Sequence, residues 1–234
     1  MLFEAAPYVT LADTPDEPSV FEIEEKKSRF IGRACHVENE EQAREFVARV
    51  RALEHGARHN VFAFLTCGGP ANAGAVPVER QSDDGEPQKT AGLPVLEAIR
   101  GAELKDVVVV VTRYFGGTLL GTGGLVRAYT KAAQGALENA QVVSMISCVD
   151  VQVVMPYSLY DTALYTLEKA AAKVLSTGFT DQVTLFFRMK EGEVDPVVES
   201  LRELLAGRGE LVTGDPHLDS WYGVIGPVTP AVAC

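Results

Sequence analysis

The spacing of apolar positions in the first part of the chain predicts strands mixed with helices. Apolar residues flank polar ones over residues 20–34, which indicates two strands joined around residues 25–28. Helical spacing follows over residues 39–55, where Asn39 is a candidate N-cap. Five consecutive valines at 107–111 predict a strand buried on both faces, and a second helical pattern begins at Leu125. These patterns predict an α+β domain.

The pattern restarts near Val149, where apolar residues alternate up to Pro156 as in a strand. Ser158 and Asp161 then resemble a capping box that opens a helix. The remaining elements are predicted as a short strand at 173–176, a longer strand at 183–189, a helix from Asp195–Pro196 to about Leu205 and a strand at 210–213. The order β-α-β-β-α-β predicts a ferredoxin-like C-terminal domain.

Four segments follow from these patterns. Residues 1–18 contain three prolines among acidic residues and offer little to bury, so we expect a loosely ordered N-terminal arm. Residues 19–147 form the predicted N-terminal domain and residues 148–214 the ferredoxin-like domain. Residues 215–234 form a C-terminal tail, and no role is predicted for either the arm or the tail.

Composition narrows the class of protein. With 47% apolar and 23% charged residues among 234, the chain has enough apolar surface for a sizeable core, which excludes disorder over most of its length. No apolar run approaches the length of about 18 residues that a membrane helix needs. Residues 1–18 have neither the basic region nor the uninterrupted apolar region of a secretory signal peptide. The four cysteines form no C-x-x-C pair, which favours reduced thiols. We expect a cytoplasmic protein without a membrane partner.

The net charge of −11 argues against general coating of nucleic acid, which depends on a surplus of Lys and Arg. The net charge does not exclude a local basic surface that contacts nucleic acid. Its candidates are Lys26, Lys27, Arg29 and Arg58, which have the charge to contact phosphates. Ordinary surface pairing with the adjacent glutamates is the alternative interpretation.

A glycine-rich loop lies between the valine strand and the second helical pattern. Glycines let backbone N–H groups approach an anion, and the helix that follows contributes the positive end of its dipole. The sequence matches neither a Walker A loop nor the dinucleotide fingerprint, so a tight strand-to-helix turn is the alternative. The candidate anion-binding residues are Arg113, Gly116, Gly117, Gly121, Thr122, Gly123 and Gly124.

A polar turn at residues 82–87 carries the three carboxylates of Asp83, Asp84 and Glu86. Three carboxylates in four residues suffice for a Mg²⁺ ion that keeps several waters. An Asp-Gly turn with solvated charges is the commoner arrangement, and hydrogen bonds to Arg113 or to glycine-loop N–H groups are a further alternative. Phosphate and Mg²⁺ are therefore the candidate small ligands, and the residues establish neither a resident cofactor nor a set of catalytic or metal-binding residues.

A string of motifs between about residues 20 and 140 resembles a known family. The motifs are Lys-Lys-Ser-Arg-Phe at 26–30, Ala-Arg-His-Asn at 57–60, Ser-Asp-Asp-Gly-Glu-Pro at 82–87, Thr-Ala-Gly-Leu-Pro at 90–94, Arg-Tyr-Phe-Gly-Gly at 113–117 and Gly-Thr-Gly-Gly-Leu-Val-Arg-Ala-Tyr at 121–129. Together they resemble the IMPACT family, and with the appended β-α-β-β-α-β unit the chain resembles its bacterial YigZ branch.

The resemblance implies an N-terminal domain similar to the second domain of ribosomal protein S-five and a C-terminal domain similar to domain five of elongation factor G. Both point by analogy of fold to translation. We therefore expect a regulatory or binding factor that engages RNA, the ribosome or a translation factor through the basic surface and the glycine loop. The alternative is an enzyme for a phosphorylated small molecule or an RNA end, in which carboxylates and glycine loop converge in one pocket. The oligomeric state is not predicted.

Overall fold

The computed structural model describes residues 7–68 and 76–227, with the backbone alone for residues 225–227. The chain divides into two compact units. Among the described residues, the N-terminal unit consists of 7–145 and 220–227, and the C-terminal unit consists of 146–219. Both units combine helices with antiparallel strands, so the predicted α+β class is confirmed.

In chain order the elements are β1 (Tyr8–Leu11), β2 (Ser19–Glu25), β3 (Ser28–His36), α1 (Glu40–Leu53), β4 (His59–Thr66), β5 (Val78–Ser82), α2 (Gly92–Gly101), β6 (Val107–Tyr114), α3 (Thr122–Glu138), β7 (Gln141–Met155), α4 (Tyr157–Lys169), β8 (Lys173–Phe179), β9 (Val183–Lys190), α5 (Val194–Leu205), β10 (Glu210–Thr213), β11 (His217–Asp219) and β12 (Val224–Pro227).

A five-stranded antiparallel sheet with the order β2-β3-β6-β4-β5 organises the N-terminal unit. The valines of β6 alternate between two cores, because Val107, Val109 and Val111 pack with buried residues of α2 and α3. Val108 and Val110 pack instead with the buried residues of α1. The strand is therefore buried on both faces, as its run of valines predicts.

Part of the predicted N-terminal arm is a strand. β1 pairs antiparallel with the first part of β7, and its Leu11 is buried. The hydroxyl of Tyr8 donates to the buried carboxylate of Asp106 at 2.5 Å, and Thr10 Oγ1 lies 2.8 Å from Nδ1 of His36. These long-range contacts order residues 8–11, so the prediction of a loosely ordered arm is wrong for this segment. The neighbouring prolines favour irregular structure, and the local sequence therefore gives no sign of the strand.

In the C-terminal unit, the second part of β7 is followed by α4, β8, β9, α5 and β10, and the strand order is β10-β7-β9-β8. Buried side chains of both helices and of alternate positions on β7 and β9 form one core. α4 begins one residue before Ser158 and has no side-chain cap, so the predicted capping box is wrong. The predicted tail contributes β11 to this unit and β12 to the N-terminal unit.

Three cysteines of the described residues, Cys35, Cys67 and Cys148, form no disulfide. Burial raises the pKa of the Cys35 and Cys67 thiols and raises that of Cys148 to about 11. These thiols are therefore poor nucleophiles at neutral pH. Across residues 7–68 and 76–227, the helices are too short or too polar to span a bilayer.

Candidate functional site

The sheet topology brings the sequence motifs to one end of the N-terminal unit. Arg113, near the end of β6, pairs with Phe30 on β3 and with His59 on β4. Ser82 ends β5 opposite Phe62, close to the start of β4. Since neighbouring strands run antiparallel, the ends of β5 and β6 lie beside the starts of β3 and β4. Three segments occur at this end: the lysine turn between β2 and β3 (residues 26–27), the acidic turn at the end of β5 (residues 82–87) and the glycine loop between β6 and α3 (residues 115–121).

The turn between β2 and β3 consists of Lys26 and Lys27, which have φ values of 47° and 65°. Two left-handed central residues are typical of a type I′ hairpin turn, which favours Asn-Gly. Both lysine side chains are exposed and, among the described residues, make no ion pair. Arg29 differs, because it pairs with Glu22 at 2.7 Å. Arg58 is exposed just before β4 and likewise has no ion pair within the described chain.

The glycine loop packs on the lysine turn through Gly116. Its N–H donates to Ser28 Oγ at 3.1 Å, and a Cβ at this position would lie 2.0 Å from the carbonyl oxygen of Lys27. Gly117 and Gly121 have φ values of 82° and 74°, so turn geometry accounts for these glycines. A Cβ at Gly123 would meet open space, and the φ of this residue is not positive. Turn geometry therefore gives no reason for glycine at position 123.

A small cavity beside the glycine loop is lined by the end of β2, by Lys26 of the turn and by α3. We call it the basic cleft, because three cations border it, whereas Glu25 is its acidic side chain. Its volume is about 210 Å³, and its lining residues are Ile23, Glu25, Lys26, Leu120, Gly124, Arg127, Ala128 and Lys131. Gly124 is the candidate anion-binding glycine that lines it, while Thr122 and Gly123 lie exposed on the first turn of α3.

Arg127 and Lys131 were not among the residues predicted to bind an anion. Both are exposed, and neither forms an ion pair within residues 7–68 and 76–227. Their spacing of four places them on the same face of α3. The spacing of Arg127 and Lys131 in the sequence could have identified them as a pair of cations on one helix face. Only the fold shows that Lys26 lines the same cavity.

Asp83 caps helix α2 from outside the helix. Its Oδ1 accepts hydrogen bonds from the N–H groups of Ala91 at 3.0 Å and Gly92 at 2.8 Å, and its Oδ2 accepts one from Lys89 at 2.8 Å. Ala91, the residue at the N-cap position, has no side-chain acceptor. Asp83 thus satisfies donors that the start of a helix otherwise leaves unpaired.

Replacing Asp83 with alanine is expected to lower the free energy of unfolding by about 1–2 kcal/mol, since it removes the acceptor for the start of α2. Asp83→Asn is the matched control and should cost less, because the amide oxygen can still accept from Ala91 and Gly92. Urea denaturation of both variants measures the difference. Equal losses would show that the charge, rather than the cap, stabilises this turn.

The other two carboxylates of the acidic turn have separate partners. Asp84 Oδ1 accepts from Arg51 at 2.6 Å, and its Oδ2 accepts from the N–H of Asn60 at 2.7 Å. Glu86 Oε1 accepts from Arg113 Nη1 at 2.6 Å and from the hydroxyl of Tyr129 at 2.8 Å. The sequence allowed a bond from this turn to Arg113, and Glu86 makes it.

The Arg113–Glu86 pair is deeply buried, with side-chain exposures of 6% and 4%. Arg113 Nη2 also donates to Ser28 Oγ at 3.4 Å, whereas its buried Nε has no hydrogen-bond partner among the described residues. Burial and the nearby Glu86 carboxylate raise the pKa of Tyr129, which keeps its hydroxyl protonated as a donor. The pair therefore joins the acidic turn, β6 and α3.

The hydrogen bonds of Asp83, Asp84 and Glu86 do not favour a metal site in the acidic turn. Each of its carboxylates accepts hydrogen bonds from a different part of the fold. Within the described ranges, no group of three or more His, Cys, Asp or Glu side chains is arranged to hold a metal ion. Asp83, Asp84 and Glu86 are absent from the lining of the basic cleft. The carboxylates and the cleft are thus separate features of this end of the unit.

Comparisons with known proteins agree with the sequence motifs. The Impact N-terminal domain model matches residues 26–137, and a model for a domain of unknown function, DUF1949, matches residues 153–208. A solved structure described as a hypothetical protein has a TM-score of 0.57 and 29% identity, covering 90% of this chain and 98% of its own.

Three bacterial relatives carry the same family name. An IMPACT family member of Haemophilus influenzae is 37% identical over 194 residues, covering 83% of this chain and 92% of the relative. YvyE of Bacillus subtilis is 31% identical over 202 residues, covering 86% and 90%. YigZ of Escherichia coli is 43% identical over 128 residues, covering 53% and 59%. With its motifs gathered at one end of the sheet and the first two relatives matched over most of their length, the chain belongs to the IMPACT family.

Proposed function

We propose that this protein is a binding factor that engages the phosphates of RNA through the basic cleft and the adjoining lysine turn. The observation that carries the proposal is the convergence of Lys26, Arg127 and Lys131 on one cavity without ion-pair partners in the described chain. In a chain of net charge −11, acidic partners for surface cations are plentiful. Three cations that surround one cavity and have no ion-pair partner in residues 7–68 and 76–227 therefore favour an external anion.

The backbone of the lysine turn supports the same interpretation. A non-glycine residue at positive φ costs about 1 kcal/mol or more, and such strain is concentrated at functional sites. Lys26 and Lys27 both adopt this conformation where Asn-Gly is favoured. Stability alone does not explain two lysines here, whereas a need for positive charge at the rim of the cleft does.

RNA binding fits the geometry better than an enzyme for a phosphorylated substrate. An enzyme needs an acid, a base or a metal beside the phosphate. Within the described part of the chain, Glu25 is the one acidic residue that lines the cleft, and the carboxylates of the acidic turn are hydrogen-bonded within the fold. Phosphate contacts alone are enough for a binding surface.

We connect this surface to translation through the family resemblance. The likenesses to ribosomal protein S-five and to elongation factor G, which the resemblance implies, favour RNA within or near the ribosome as the partner. A translation factor bound at the same surface is the alternative within this proposal. Salt-sensitive co-sedimentation with ribosomal particles is the corresponding expectation.

The proposal predicts that the double variant Arg127→Gln/Lys131→Gln binds RNA about tenfold more weakly than the parent, because two phosphate contacts are lost. Two lost phosphate contacts should also reduce the slope of log affinity against log salt by about 1.4. Fluorescence anisotropy with a labelled RNA over a range of salt concentrations measures both quantities.

The matched control is Arg44→Gln/Arg49→Gln on α1, which removes the same charge from two exposed arginines that pair with Glu40 and Asp16. We expect the control to keep the affinity and slope of the parent. Equal losses in both double variants would assign binding to net charge, and no binding by the parent at low salt would contradict the proposal.

A further inference from the structure

We propose that the RNA bound at the basic cleft is single-stranded and that the ring of Phe115 stacks on an unpaired base. This inference rests on the proposed function and adds to it the class of RNA. The observation that starts it is the exposure of Phe115, which is 53% accessible in the glycine loop directly after β6. A large aromatic side chain exposed on a loop that borders a cationic cavity is an established means of contacting bases.

The ring of Phe115 is supported from inside the protein. The guanidinium carbon of Arg113 lies 5.5 Å from its centroid and 5.4 Å from the centroid of Phe30. Arg113 is itself fixed by Glu86 at 2.6 Å, and Phe30 is fully buried. A ring supported by a fixed cation loses little freedom when a base stacks on it, which lowers the entropic cost of binding.

The path of the chain links this ring to the basic cleft. Gly116 follows Phe115 directly and lies against the carbonyl of Lys27, while Lys26 in the same turn lines the cleft. Phe115 and Lys26 are thus the chain neighbours of the two residues, Gly116 and Lys27, that meet in one backbone contact. This placement suits a single nucleic acid strand, whose base and phosphate diverge from the same sugar.

A duplex is a poor match for this arrangement. The bases of an RNA helix are stacked on one another, and its major groove is too deep and narrow for side chains to read. An exposed aromatic ring therefore gains stacking energy only from a base that is already unstacked. The positive cleft by itself makes no such distinction, because phosphates occur on both forms.

The experiment compares two oligomers of equal length and charge, a single-stranded RNA and its abasic ribose-phosphate counterpart. We expect the parent protein to bind the RNA about tenfold more tightly than the abasic oligomer. Phe115→Ala should remove this difference without changing the salt slope, and Phe115→Trp should preserve it. A duplex of the same sequence should show no loss of affinity on Phe115→Ala.

Leu119→Ala is the matched control, because Leu119 is 81% exposed in the same loop and has no ring. It should leave the preference for base-containing RNA intact. Equal affinity of the parent for RNA and abasic oligomer would overturn the stacking proposal and leave the phosphate surface standing. Retention of the preference in Phe115→Ala would also overturn it, because another side chain would then contact the bases. Absence of salt-dependent binding to either oligomer would instead reject the proposed function itself.

Discussion

Replacement of Glu86 with alanine is expected to lower the free energy of unfolding of the N-terminal unit by about 3–5 kcal/mol. The variant leaves the buried guanidinium of Arg113 without its carboxylate, and the Nε of Arg113 already lacks a hydrogen-bond partner in the described chain. It also removes the acceptor of the buried hydroxyl of Tyr129. In both cases a buried polar group, the guanidinium of Arg113 or the hydroxyl of Tyr129, loses its hydrogen-bond acceptor, which is unfavourable because water cannot replace it. Hydrogen exchange of the β6 amides, followed with urea denaturation, measures the loss in this unit.

Two further variants distinguish the effect of leaving a buried charge unpaired from the effect of losing any ion pair. Glu97→Ala removes a partner of Arg100 in an exposed pair, with side-chain exposures of 43% for Arg100 and 57% for Glu97, and should cost less than about 1 kcal/mol. Glu86→Leu combined with Arg113→Met should recover much of the stability that Glu86→Ala loses, because it removes both charges. A loss in Glu86→Ala as small as that in Glu97→Ala would contradict the assigned role of the pair.

Gly116→Ala is expected to reduce the free energy of unfolding by about 1–3 kcal/mol and to weaken binding of RNA at the basic cleft by about tenfold. The added Cβ would lie 2.0 Å from the carbonyl oxygen of Lys27, a backbone atom that cannot rotate away. The glycine loop must then separate from the lysine turn, which moves Lys26 relative to α3. Anisotropy titration and thermal unfolding of the same variant measure the two effects.

Gly123→Ala is the control for this substitution within the same glycine-rich segment. A Cβ at Gly123 would meet no described atom within 4 Å apart from its chain neighbours and the backbone of its own helix, and the residue lies in the first turn of α3. Alanine there should stabilise the helix by up to about 1 kcal/mol. RNA binding should persist in this variant. If Gly116→Ala behaves like Gly123→Ala, the contact between loop and turn does not shape the cleft.

Much of the fold was predictable, because local signals determined its principal elements. The valine run predicted β6, and Asn39 caps α1 as its sequence suggested, accepting a hydrogen bond from the N–H of Gln42. The local pattern does not predict β5, because its sequence, Val-Glu-Arg-Gln-Ser, is mostly polar and only its pairing with β4 orders it. Local patterns carry no information on such long-range pairing.

The candidate site was predictable in its residues but less so in their roles. The acidic turn was identified from three closely spaced carboxylates, yet Asp83 and Glu86 bind groups that lie on different elements. The basic surface was predicted around Lys26 and Arg29, and Arg29 proves to be paired with Glu22. Which charges are paired depends on tertiary neighbours, and spacing along one chain does not specify these neighbours.

The left-handed conformation of Lys26 and Lys27 has a practical consequence for engineering this protein. Exchanging the two residues for Asn-Gly relieves backbone strain of about 1–2 kcal/mol per residue, so a screen that rewards heat resistance will select this exchange early. The selected proteins would keep their shape and lose the positive charge at the rim of the cleft. Selection in this family for robustness alone therefore works against the surface that we assign to RNA, and ligand binding has to be scored in the same screen.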